Sequence, residues 1–335
     1  MRMHTTAGLA ATILVAVVLS GCGQASAPAD GIKKVGLIVT AGSAIDDRSF
    51  NELAWNGVQR AAKEFNLQSD YVEPKQPGEI EGHLARMADA GYDFIVASGY
   101  PIADALAAVA AKYPRVKFAI VDHAYDPPLP NAIGLVFAED EAGFLAGALA
   151  AQITRSNVIG GVFGQEIPPV VRFRKGYEAG AAFVDKDIKV LGVYVGSFND
   201  AAAGAAAAQA MLAQNADVIF AAAGTTGNAA LVAAKQRRAY AIGVDTDQYN
   251  TLPEAKDALV SSAMKRVDVA VYGAIKTAVQ GTFKGGTQLY ATANDGVALA
   301  PFHDFETTVP EAVKSKLEEI KKGLKNGSIK TNVKP

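Results

Sequence analysis

Residues 35–51 read VGLIVTAGSAIDDRSFN. The first five form an unbroken apolar run, short enough for a strand and lacking the alternation of a half-exposed one. They predict a strand buried on both faces. The run breaks at Ala41-Gly42-Ser43 and is followed at once by Asp46, Asp47, Ser49, Phe50 and Asn51. From 52 to 65 the apolar positions recur at helical spacing. A strand buried on both faces belongs to a parallel sheet covered by helices, and such sheets hold ligands in the loops that leave the carboxyl ends of their strands. The polar group of Asp46, Asp47, Ser49 and Asn51 is therefore a candidate binding loop. None of its members is a catalytic signature alone.

Further along the chain the same alternation repeats. Strands are expected at 70–72, 94–97, 116–121 and 133–137, with helices at 79–90, 101–112 and 139–153. The cycle then restarts with strands at 158–163, 190–195, 217–222, 241–244 and 259–264. Helices are expected at 168–184, 201–213, from 228 to near 237, and 267–279. Short extended segments near 287–290 and 297–299 precede a charged amphipathic helix at about 310–324. Repeated strand-helix order calls for an α/β architecture with parallel sheets. Two successive runs imply two similar, Rossmann-like lobes, the first crossing between them falling near Ser156. A cleft between such lobes is lined by the loops at the carboxyl ends of both sets of strands. That geometry selects Asp46 to Asn51, Ser98 to Tyr100, Asp122, Phe198, Gly224, Asp245 and Lys265.

The chain has 335 residues, half of them hydrophobic, and a formal charge of −2. This suffices for one large domain or two moderate ones, and it lacks the basic excess of a nucleic-acid binder. At the amino terminus Arg2 precedes an apolar stretch at 7–19, shorter than the roughly 20 residues needed to span a bilayer. It predicts an export signal over 1–21. Leu19-Ser20-Gly21-Cys22 resembles a bacterial lipobox, so Cys22 is expected to carry a lipid anchor, with 22–31 as a flexible tether. Cys22 is the only cysteine, which excludes an intrachain disulfide and a thiolate metal site. The expected location is the outer face of the cell membrane, facing the periplasm or the exterior.

Two acids at strand ends, Asp122 and Asp245, suit a polyhydroxylated ligand, because carboxylates accept charge-assisted hydrogen bonds from vicinal hydroxyls. They equally suit helix or turn capping. Lys265, directly after an apolar strand and before a helix, can donate while balancing buried negative charge. Phe198 ends a strand in a Ser-Phe-Asn-Asp turn and is placed to stack on a flat ligand. Phe50 is read instead as ordering the Asp46 loop, Trp55, Phe173, Tyr177 and Phe183 as helix-to-sheet packing, and Pro168-Pro169 as fixing the start of a helix. Gly224-Thr225-Thr226-Gly227 does not match a phosphate loop. The four histidines are scattered, no metal-binding spacing occurs, and no serine lies in a nucleophile elbow. No cofactor, metal or catalytic residue is expected.

These positions also carry a family resemblance. Asp46-Asp47-Arg48-Ser49-Phe50-Asn51 with Trp55 and Gly57, Ala119 to Asp122, Ile167 to Val170 with Phe173, Gly176 to Gly180, Val195 to Asp200, Gly243 to Asp247 and Ser262 to Asp268 occur in an order similar to that of the basic membrane protein family. This group of substrate-binding lipoproteins includes the bacterial purine nucleoside receptors of ABC transporters. The resemblance covers nearly all of the mature chain. It implies a type I periplasmic-binding-protein fold, two lobes with parallel sheets joined by a three-segment hinge. One lobe would comprise 32–155 plus about 266–285, the other 156–265 plus about 286–335. By position it implies that Ile45 and Phe198 flank a nucleobase and that Asp46 addresses its edge. Asp122, Asp245 and Lys265 would hold the sugar, the backbone near Gly224 would close on the ligand, and Ser49 and Asn51 would touch it or support those that do. Ile45 stands where an aromatic residue is common, and Asp46 where some members have asparagine. A carboxylate only accepts hydrogen bonds, which would favour the N–H-rich edge of guanine.

The resulting expectation is a monomeric, non-enzymatic receptor. It would capture a purine nucleoside (guanosine, inosine or adenosine) in the interlobe cleft and pass it to an ABC permease and its ATPase. Within the same fold, riboflavin, a free base or a sugar-like solute is the alternative. From other classes, an exported nucleoside hydrolase would show turnover, and an adhesin would gain from a longer stalk than 23–30 provides.

Overall fold

The structure, a computed structural model, describes Met1 and residues 31–333. The expected signal segment, Cys22 and nearly all of the tether lie outside the described residues. The opening run becomes β1 (Lys34–Val39), whose last five residues are buried as its unbroken hydrophobicity requires. It is followed by α1 (Phe50–Phe65), β2 (Gln68–Val72), α2 (Ile80–Asp89), β3 (Phe94–Ser98), α3 (Ala103–Lys112), β4 (Lys117–Val121) and β5 (Ala132–Phe137). The second run is α4 (Glu139–Ile153), β6 (Val158–Phe163), α5 (Pro168–Val184), β7 (Lys189–Tyr194), α6 (Ala201–Ala213), β8 (Val218–Ala222), α7 (Gly224–Gln236) and β9 (Tyr240–Asp245). After it come α8 (Gln248–Thr251), β10 (Leu259–Lys265), α9 (Val267–Val279), β11 (Gly286–Tyr290), β12 (Val297–Leu299) and α10 (Glu311–Asn326).

The strands form two six-stranded sheets, in the orders β11-β5-β4-β3-β1-β2 and β12-β10-β9-β8-β6-β7. Every pairing is parallel except that of β12 with β10. In each sheet the order reverses beside the first strand of its run, β1 or β6. At such a reversal neighbouring loops diverge and leave a crevice at the carboxyl ends. The two crevices supply the candidate site.

Two expected boundaries are corrected. α4 packs against α5, β8, β10, β12 and α10, so the chain leaves the first lobe at Ala138 and not near Ser156. The helix is apolar on nearly every side, and its periodicity therefore could not tell which sheet it covers. Its approach to α5 is backbone on backbone. A Cβ on Gly147 would lie 2.0 Å from the Tyr177 carbonyl oxygen, and one on Gly180 2.0 Å from that of Phe144. The second correction concerns the returning segment. α9 packs on α1, and β11 then pairs with β5, Gly286 beside Ile133 through to Tyr290 beside Phe137. The segment thus reaches Tyr290, beyond the expected limit of about 285, because a mostly exposed edge strand leaves little pattern to read. The three connections between the lobes are Ala138, Arg266 and residues 291–296. Among the described residues no helix is long and apolar enough to cross a membrane.

Candidate functional site

The loop after β1 is built around Asp47. Its carboxylate accepts the backbone N–H groups of Ser49 (3.0 Å), Asn51 (3.0 Å) and Glu52 (3.2 Å), capping the otherwise unsatisfied amino end of α1. Burial pushes the Asp47 carboxyl up to about 7, against those three donors. Asp47 therefore holds the loop's shape. The Ser49 hydroxyl is left free for another partner and donates to Asp245 Oδ2 across the cleft at 2.8 Å. Asn51 is tied on both sides, donating to the Ala44 carbonyl and accepting from the Ser98 hydroxyl at 2.9 Å.

Asp122 follows β4 and Asp245 ends β9, so they hold equivalent places in the two sheets. Both are in the left-handed backbone region, with φ of 72° and 62°, which aspartate tolerates better than most residues. Neither caps a helix. Lys265, 1% exposed, brings its ammonium within 2.6 Å of Asp122 Oδ1 and 2.9 Å of Glu139 Oε1. The rings of Phe50, Phe137 and Phe173 surround that ammonium at 5.1, 5.0 and 5.7 Å, a favourable cation–π setting. Burial alone would lower the lysine's pKa, but Asp122, Glu139 and Asp245 together hold it above the ordinary value. Burial pushes Asp122 up to about 7, opposed by Lys265 and reinforced by Glu139, and it likewise raises Asp245. Oδ1 of Asp122 has no well-aligned hydrogen-bond donor among the described residues.

These groups surround a cleft between the lobes with about 720 Å³ of atom-free space, open solvent at its mouth included. Of the expected residues, Asp47, Asn51, Asp122, Phe198, Gly224, Asp245 and Lys265 line it. Ser49 does not, and acts through Asp245. Ile45 and Asp46 are outside the lining. Ile45 is packed against the core and its N–H donates to Glu73 Oε1 at 2.7 Å. Asp46 is exposed. The lining thus leaves out the two residues to which the resemblance gave base-flanking and base-edge roles. The loop turns about the buried Asp47, and this rotation gives the cavity side to Phe50 instead.

Phe50, read from sequence as ordering its loop, Phe173, read as packing, and Pro169, read as fixing the start of a helix, line the cavity. Amphipathic spacing marks a residue as inward-facing without saying whether core or cleft lies inward. Phe198 lies against Gly164, where a Cβ would come within 2.3 Å of its ring. Glu139, fully buried and bonded also by Arg172 Nε at 2.6 Å, was not anticipated. Its signal was three consecutive acids opening a helix without a single basic residue. Among the described residues no cluster of acids, histidines or cysteines is arranged to hold a metal.

The mouth of the cleft is bridged by polar contacts between the lobes. Asn228 Nδ2 donates to the Asp47 carbonyl and Asn199 Nδ2 to that of Gly42, each at 2.9 Å. Thr251 Oγ1 donates to the Arg48 carbonyl at 2.9 Å, and the Arg48 guanidinium pairs with Glu254 at 2.7 Å. Each such bond contributes only about 1 kcal/mol, the exposed ion pair less. Closure held this way is readily reversed.

Residues 32–333 match the family model described as ABC transporter substrate-binding protein, PnrA-like. Basic membrane protein A of Borreliella burgdorferi is 35% identical over 293 residues, covering 85% of this chain and 84% of that one. A protein of Pyrococcus abyssi, named as an uncharacterized lipoprotein, is 34% identical over 304 residues, 87% of this chain and 74% of that one. Among solved structures, an ABC transporter solute-binding protein from Aeropyrum pernix K1 superposes with a TM-score of 0.83 at 28% identity, over 89% of this chain and 92% of that one.

Proposed function

The chain belongs to the family of PnrA-like ABC transporter substrate-binding proteins, and from that premise we propose that its ligand is a purine nucleoside. The family supplies the solute-capturing part of a transporter whose other parts are a membrane permease and an ATPase, and its fold is that of type I periplasmic binding proteins. One observation carries the ligand reading. The cavity joins an apolar wall of Phe50, Phe173 and Phe198 to a buried polar group of Asp122, Asp245 and Lys265, with members drawn from both lobes. A nucleobase is flat and apolar on its faces, and stacking on aromatic rings stabilises it. Ribose hydroxyls donate to carboxylates and accept from an ammonium. One molecule carrying both features would bind the two lobes together and favour the closed arrangement by its differential affinity for it.

Delivery then consists of capture by hinge closure, docking on the permease and release as the polar bridges at the mouth break. Cys22, with its lipobox, is proposed as the membrane anchor. The lipoprotein name of the Pyrococcus abyssi relative supports this. Thermal unfolding in the presence of guanosine, inosine, adenosine, riboflavin and free bases tests the ligand. A true ligand at 100 times its Kd stabilises by about 2.7 kcal/mol. A shift with riboflavin or a free base and none with any nucleoside would refute the assignment.

A further inference from the structure

The three connections between the lobes converge on the first turn of α4. Its opening acids each hold a different partner there. Glu139 Oε1 accepts from Lys265 Nζ at 2.9 Å, beside the Arg266 connection. Asp140 Oδ2 accepts from Thr331 Oγ1 at 2.5 Å, in the segment after α10. Glu141 Oε2 accepts from Thr292 N and Oγ1 at 2.8 and 2.6 Å, within the 291–296 connection. Of the three, Glu139 is fully buried, does not line the ligand cavity and bonds the one cation that does among the described residues.

An ammonium has three N–H donors. In Lys265 one is directed to Glu139, Asp122 Oδ1 lies 2.6 Å from the nitrogen as an ion-pair partner, and the three phenylalanine rings limit the room for the stem. A lysine's four-carbon stem otherwise has many rotamers, which ordering must restrict. Arg172 Nε fixes Glu139 in turn through its other oxygen. The geometry points to Glu139 as a positioning residue for binding, which aims the Lys265 ammonium at the solute's hydroxyls and fixes that aim to the hinge. This rests on the solute reading given above. Glu139 itself touches no solute. Its effect passes through Lys265, and it is therefore selective for ligands that offer that lysine an oxygen.

The test compares wild type with Glu139→Gln, which keeps shape and loses charge, and Glu139→Asp, which keeps charge and loses reach. The latter also serves if the glutamine variant does not fold. Calorimetry measures the affinity of guanosine and of 2′,3′-dideoxyguanosine. In parallel, competitive acylation of the ligand-free protein reads Lys265 against Lys112, whose side chain is 63% exposed. Glu139→Gln should weaken guanosine about tenfold, the lower end for a charge-assisted hydrogen bond, and the dideoxy compound less than about twofold. It should raise Lys265 acylation several-fold, and Glu139→Asp, one carbon short of Lys265, should move both readouts in the same direction. Equal weakening of both ligands, or Lys265 acylation at the wild-type rate, overturns the proposal. If wild type binds neither nucleoside, the nucleoside reading fails, and the acylation result alone decides whether Glu139 holds Lys265.

Discussion

Replacing Lys265 with methionine keeps the stem's volume and removes the ammonium from between Asp122 and Glu139. Removing one partner of a buried ion pair typically destabilises by about 3–5 kcal/mol, because the other charge is left unpaired. Glu139 keeps Arg172 at 2.6 Å and Asp245 keeps the Ser49 hydroxyl at 2.8 Å, so the exposed weakness is Asp122. Its folded pKa of about 7 already lies above the ordinary 3.8. Its burial therefore favours folding most below about pH 4, and this contribution is lost as the pH rises through 7. Without Lys265, which lowers it, the Asp122 pKa must rise further. Each unit of that rise takes about 1.4 kcal/mol off the stability gap between wild type and variant on going from alkaline to acid pH. Urea unfolding at about pH 9 and about pH 5 should thus give a gap of about 3–5 kcal/mol at the higher pH and a smaller one at the lower. A gap that is flat or grows on acidification would refute the assignment of Asp122 as the partner left unpaired.

Other consequences concern the ligand and the helix crossing. If Asp122 accepts from the sugar as an anion, nucleoside affinity measured by calorimetry should rise with pH up to about 7, by at most about tenfold per unit below it; a pH-independent Kd would exclude that role. Phe198→Ala should weaken binding by about 1–3 kcal/mol, the usual worth of base stacking on an aromatic ring. Gly164→Ala should weaken it without removing the ring, since the new Cβ would come within 2.3 Å of Phe198, and unchanged binding in both variants would dismiss the stacking wall. Gly147→Ala, whose Cβ would lie 2.0 Å from the Tyr177 carbonyl oxygen, should lower unfolding free energy by about 1–3 kcal/mol or more in denaturant titration. A neutral result there would mean that α4 and α5 can move apart freely.

Several features were legible in the chain before any folding. The unbroken run at 35–39 and its repeats specify strands buried on both faces, hence parallel sheets under helices, because only a covered strand can be apolar on successive residues. The acids at 122 and 245 and the lysine at 265 stood out because each directly follows such a run, and strand ends are where open sheets hold ligands. Periodicity reports which side of an element faces inward, and that information is local. It did not reveal that α4 covers the second sheet, that Phe50 and Phe173 face a cleft and not a core, or that Ile45 and Asp46 are carried out of the cavity by the turn about Asp47. Glu139 was hidden for the same reason. Its two cations are residues 265 and 172, and only the crossing of the chain between lobes brings them to one carboxylate. Strand and helix identities thus followed from neighbours in sequence, whereas the membership of the site was decided by tertiary contacts, some between segments more than a hundred residues apart, which no hydrophobic periodicity encodes.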